Sequence, residues 1–81
     1  MNSRVALIAI MVEKGASVEG VNNLLHEYGE NIIGRMGVPY RAKNVNIISI
    51  AIDAPQDVIN TLAGQIGRLE GVSAKTVYAS V

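Results

Sequence analysis

The sequence contains no cysteine, tryptophan or phenylalanine, only two prolines and one histidine, and no excess of either charge. Without cysteine there can be no disulfide, thiolate metal site or sulfur nucleophile, which fits a reducing, cytoplasmic setting. Seven basic residues offset seven acidic ones, so the positive footprint that tracks a phosphate backbone is missing and direct nucleic-acid binding is not expected. Three tyrosines are the only aromatics, which leaves little on which to stack a nucleobase. A membrane helix is not expected either. The apolar run at residues 5–12 follows Arg4 and is far shorter than the ~20 residues a span needs. Removing that run as an export signal, by cleavage near Gly15-Ala16-Ser17, would take away a strand that the sheet requires.

What is present is aliphatic. Hydrophobic residues make up 49% of 81, so the core is expected to be built from Ile, Val, Leu and Ala. The length suits a single domain, residues 1–81, whose core is marginal because so small a unit buries only about 60–65% of its unfolded surface. The chain centres on Val45-Asn46-Ile47-Ile48-Ser49-Ile50-Ala51-Ile52-Asp53, a strand by its isoleucine content and freedom from Gly and Pro. Side chains alternate across a strand. Ile48, Ile50 and Ile52 therefore share one face, and Val45, Ile47 and Ala51 the other.

Residues 4–12 read as a second strand apolar on both sides, with Val5, Leu7, Ala9 and Met11 opposed to Ala6, Ile8, Ile10 and Val12. Glu13-Lys14-Gly15-Ala16 is the turn, and Ser17 a plausible N-cap. Val18, Val21, Leu24, Leu25 and Tyr28 then recur at helical spacing, with Gly29 as terminator. Residues 32–40 form a strand punctuated by Gly34, Gly37 and Pro39, as edge strands and bulges are. A second helix opens at Ala54-Pro55, with Pro at the first helical position and Asp53 or Ala54 as cap. It carries Val58, Ile59, Leu62, Ala63, Ile66 and Leu69 on its buried stripe and ends at Gly71. Residues 72–81 close the chain as a strand.

The order βαββαβ consists of two strand–helix–strand units offset by roughly 40 residues. It predicts an α+β, ferredoxin-like fold: a four-stranded antiparallel sheet with two helices on one face and the first and third strands central. Those are the two strands that are apolar on both sides. Two helices cover one face only, so the other would expose Ile and Val side chains worth ~1.5–3 kcal/mol each on burial. Such a surface predicts a homo-oligomer through the sheet face, most simply a two-fold dimer.

Candidate chemistry is sparse. His26 lies opposite the apolar stripe of the first helix and shares its polar side with Asn22 and Glu30, so His26 and Glu30 form an i,i+4 pair. One chain offers too few ligands for a closed metal site, and the expectation is a solvated histidine with no metal and no cofactor. Gly64 and Gly67 fall on the outer side of the second helix, each costing about 0.8–1.0 kcal/mol relative to Ala. They suit either tolerance or the close approach of another group. Gly15, where strand gives way to helix, could present free amides to an anion. Arg35, within Gly34-Arg35-Met36-Gly37-Val38-Pro39-Tyr40 and followed by Arg41, could pair with a carboxylate or phosphate, or simply discourage edge-to-edge aggregation. The candidate ligand-binding residues are thus Gly15, His26, Arg35, Gly37, Gly64 and Gly67. No nucleophile–base pair, phosphate-cradling loop or two-carboxylate arrangement is present, so an enzyme is not expected.

Three stretches taken together carry a family resemblance: Val21-Asn22-Asn23-Leu24-Leu25-His26, Ile32-Ile33-Gly34-Arg35-Met36-Gly37-Val38-Pro39, and Leu62-Ala63-Gly64-Gln65-Ile66-Gly67-Arg68-Leu69-Glu70-Gly71-Val72-Ser73-Ala74-Lys75-Thr76. The sequence resembles a family of small bacterial regulators assigned to the iron-only hydrogenase system. The resemblance implies an ACT-like fold, similar to the C-terminal regulatory domain of the nickel-responsive repressor, and an oligomer. It also implies a regulatory or ligand-sensing role, transcriptional or system-level, with a small-molecule effector or protein partner. The turn Glu13-Lys14-Gly15-Ala16 keeps the Gly of the ACT effector turn but lacks its Pro. Residues 1–81 leave no segment for the repressor's DNA-binding arm, and one histidine falls short of its metal site. A partner-docking subunit without a small-molecule ligand is the alternative.

Overall fold

Register and alternation together build the sheet. The computed structural model describes residues 2–13 and 18–80. Strand β1 (Ser3–Glu13) pairs antiparallel with β3 (Val45–Pro55) over their whole length, from Ser3 opposite Pro55 to Glu13 opposite Val45. On its other side β1 pairs with β4 (Val72–Tyr78), and β3 pairs with β2 (Ile32–Tyr40), so the order is β2-β3-β1-β4. Helix α1 (Val18–Glu27) joins β1 to β2 by way of a 3₁₀ turn at Gly29–Asn31, and α2 (Gln56–Gly67) joins β3 to β4. This is the ferredoxin-like βαββαβ arrangement, with the two doubly apolar strands central.

Cross-strand partners lie on the same face. Ala6, Ile8 and Ile10 of β1 therefore meet Ile52, Ile50 and Ile48 of β3, and Val12 meets Asn46, on one side of the sheet. Val21 and Leu25 of α1, with Ile59, Leu62 and Ile66 of α2, close over them to form a single core with no buried polar or charged side chain among the described residues. The helices keep their apolar residues at three- and four-residue spacing, which places them on one stripe against the sheet. Polar straps tie α2 down at its flanks. The Tyr78 hydroxyl donates to Asn60 Oδ1 at 2.8 Å, the Tyr28 hydroxyl to Gln65 Oε1 at 3.1 Å, and Arg4 Nη1 to Gln56 Oε1 at 3.1 Å. The Arg4 guanidinium also lies 4.2 Å from the centre of the Tyr78 ring.

Several boundaries differ from those predicted. Pro55 stands before α2 rather than at its first turn, with ψ 149°, because its pairing with Ser3 prolongs β3. Proline fixes φ but leaves ψ free to continue the strand. The second helix stops at Gly67 rather than Gly71, and Gly71 turns the chain into β4 with φ +76°. Strand β4 ends at Tyr78. The connection around residues 14–17, including the predicted Ser17 cap, lies outside the described residues.

Candidate functional site

A groove opens on the helix side of the sheet, where α1 passes over the edge strand. Register puts Arg35, Gly37 and Pro39 of β2 opposite Ile50, Ile48 and Asn46 of β3, so all six face the helices. Gly37 has no side chain to fill the space beneath α1, and a Cβ built there would meet nothing within 4 Å. The resulting cavity, about 190 Å³, is lined by Val18 and Asn22 of α1, by Arg35, Gly37, Val38 and Pro39 of β2, and by Asn46 and Ile48 of β3. Arg35 Nη2 donates to Asn22 Oδ1 at 3.0 Å. A guanidinium cannot accept a hydrogen bond, so this contact leaves the Asn22 amide nitrogen a donor with no partner among the described residues.

Two of the six candidate residues, Arg35 and Gly37, thus meet in one place, joined by Asn22 and Asn46. Asn46 belongs to no motif in the sequence and is not among the six candidates. Yet it is the one polar member of the row Asn46, Ile48, Ile50, Ile52, and that interruption was the available signal. Arg41 lies beyond β2 in a 3₁₀ turn at Arg41–Lys43 and does not join Arg35 at the groove. His26 is exposed on α1. The i,i+4 pairing with Glu30 fails, because α1 ends at Glu27 and Glu30 belongs to the following 3₁₀ turn. Among the described residues no cluster of His, Asp and Glu could hold a metal ion. Gly64 is half-buried with only Arg68 Nη2 near its missing Cβ, at 3.9 Å, and Gly67 has nothing within 4 Å. Neither lines the groove. Gly15 lies outside the described residues.

The opposite side of the sheet has no helix over it. Its composition follows from register: Val38, Ile47, Met11 and Ser73 in one row across the strands, then Met36, Ser49, Ala9 and Lys75, then Gly34, Ala51, Leu7 and Val77. Leu7 is 44% exposed, Met11 40%, Met36 52% and Val77 65%. Apolar exposure therefore extends beyond the two central strands onto both edges. A depression of about 290 Å³ lies among Val5, Leu7, Ala51, Val77 and Ala79. The middle row, Ser49 and Ala9, is small and flanked by larger side chains.

A four-stranded antiparallel sheet backed by two helices, with one bare apolar side and a groove holding Arg35 at its edge, makes this a ferredoxin-like, ACT-like domain. The chain belongs to the TM1266-like family, whose description reads "Iron-only hydrogenase system regulator, putative" and whose model matches residues 4–76. It is similar to the uncharacterized protein TM1266 from Thermotoga maritima, with 35% identity over 98% of this chain and 100% of that one and a TM-score of 0.93. CPII from Thiomonas intermedia K12, a nitrogen regulatory PII-like protein whose structure holds ADP, AMP and bicarbonate, matches with a TM-score of 0.57 at 15% identity. That match covers 99% of this chain and 100% of CPII. The apo form of CPII matches with a TM-score of 0.52 at 16% identity, over 96% and 97% of the two chains. At such identity the likeness to CPII is one of fold. No curated relative matches the chain.

Proposed function

We propose that this chain is a non-catalytic regulatory component of the iron-only hydrogenase system that works in the cytoplasm as a homo-oligomer and responds to a small effector. The observation that carries this is the bare apolar sheet side, with Leu7, Met11, Met36, Val38 and Val77 each at least 40% exposed. Patches of this kind mark interfaces. A second copy is the occupant favoured by the charges: Lys75 sits in the middle row, while Glu13 and Asp53 sit on the same side at the two ends of the central strand pair. A face holding one cation between two anions can meet itself across a two-fold axis without forcing like charges together.

Family membership supports regulation, and the groove at Arg35 and Gly37 supports an effector. CPII is bound to adenine nucleotides and bicarbonate; the groove here is about 190 Å³ and its described lining holds no aromatic residue, which favours an effector smaller than a nucleotide. Size-exclusion chromatography with light scattering at micromolar concentration tests the assembly. A discrete dimer or tetramer is expected, and a well-behaved monomer would overturn this half of the proposal.

A further inference from the structure

We infer that the groove between α1 and β2 is a binding site for a small aliphatic carboxylate, its head group held by Arg35 and Asn22 and its chain lying along the groove toward Asn46. This names the ligand class for the effector of the proposed function and rests on that proposal for its regulatory meaning. The groove presents donors. Arg35 uses one guanidinium nitrogen on Asn22 Oδ1, and among the described residues it meets no carboxylate. A planar guanidinium with unused N–H groups matches the two oxygens of a carboxylate. The Asn22 amide nitrogen remains free to donate, and the Asn46 side chain has no hydrogen-bond partner among the described residues. One cation beside an amide, with no carboxylate in the described lining, selects an acceptor-rich, negatively charged group.

The rest of the lining limits what can be attached to that group. Pro39 and Ile48 supply apolar wall beside the donors, which a bare inorganic anion would leave unused and a short carbon chain would cover. The cavity of about 190 Å³ equals roughly six waters at ≈ 30 Å³ each and falls below the ~300 Å³ where drug-sized sites begin. A carboxylic acid of a few carbons fills that space, whereas most of a nucleotide would project from the open groove into solvent. Gly37 keeps the space open, since a side chain there would project into the groove without meeting a neighbour.

The test is titration of isotope-labelled protein with acetate, butyrate, succinate and phosphate at constant ionic strength, followed by amide NMR. Butyrate or succinate should shift the Gly37 and Asn46 resonances saturably and bind more tightly than acetate, with phosphate weaker than either. Arg35→Gln, at an exposed position, should lower the affinity about tenfold to a hundredfold, the range of a charge-assisted hydrogen bond. Gly37→Val should abolish binding while keeping a dispersed spectrum, because β-branched residues suit strands. No saturable shift with any carboxylate, unchanged binding by Arg35→Gln or by folded Gly37→Val, or phosphate binding as tightly as butyrate would each overturn the inference. Light scattering on the same samples separates the two proposals. An oligomer that binds no carboxylate refutes this site alone, and a monomer that binds one refutes the assembly alone.

Discussion

The backbone amide of Glu13 donates to the carbonyl oxygen of Gly71 at 2.8 Å, and a Cβ placed on Gly71 would stand 2.9 Å from the Glu13 carbonyl oxygen. The end of β1 and the turn entering β4 are therefore in backbone contact, with no room for a side chain between them. Gly71 holds φ +76° to make that approach. The contact starts the β1–β4 pairing, which continues at once with Val12 opposite Val72.

Gly71→Ala should consequently destabilise the fold, since strained left-handed backbone and a clash with main chain act together. The left-handed conformation alone costs of order 1–3 kcal/mol, and in a domain of this size each kcal/mol lowers Tm by about 4–8 °C. Thermal unfolding at fixed protein concentration measures it. A Tm within a degree or two of the wild type would contradict the geometry.

Gly64→Ala should have the opposite effect. The position lies inside α2, where its new methyl would find only Arg68 Nη2 at ordinary contact distance. Replacing an unstrained helical glycine by alanine stabilises by about 0.4–1 kcal/mol. A gain in Tm with unchanged assembly means that Gly64 is merely tolerated. Loss of the oligomer would instead show that another backbone packs against it.

On the bare sheet side, Leu7→Lys and Met11→Lys should each shift the proposed oligomer toward monomer at micromolar concentration. Circular dichroism should stay unchanged, because both side chains are already at least 40% exposed in the protomer. An unpaired charge buried at an interface is costly, while the same charge on a protomer surface is not. Sedimentation velocity across a concentration series reads the outcome.

Neighbouring positions on α2 should respond very differently to the same substitution. Leu62 is fully buried in the core, and Leu62→Ala should cost about 2–5 kcal/mol. That is a large share of the ~5–15 kcal/mol that holds a typical domain together. Thr61 is exposed, with its hydroxyl donating to the Asp57 carbonyl at 2.8 Å. Thr61→Ala should be neutral or slightly stabilising, as alanine is the better helix former. Urea denaturation of the two variants compares them directly.

Much of the architecture was legible because burial imposes periodicity. Ile48, Ile50 and Ile52 alternate as a strand must, and Val21 and Leu25 repeat as a helix must, so element order and the central strands could be read without coordinates. Boundaries were less legible where pairing overrode local signals. Pro55 carries a helix-start signal but is held extended by Ser3, and Glu30 follows a helical spacing that the turn at Gly29–Asn31 interrupts. The candidate groove was half legible. Arg35 and Gly37 stood out as a cation among glycines, whereas Asn46 became visible only once β3 lay beside β2.

By itself the sequence determined which side chains had to leave water, because alternation along a strand and recurrence along a helix are local properties of the chain. It also ruled out cysteine chemistry and a large net charge, since both are fixed by composition alone. Only the tertiary structure decided that Arg35, Asn22 and Asn46 share a groove and that the bare apolar side spans four strands rather than two. Both depend on register between segments far apart in the chain, and a slip of one residue would have sent each of those side chains to the other face.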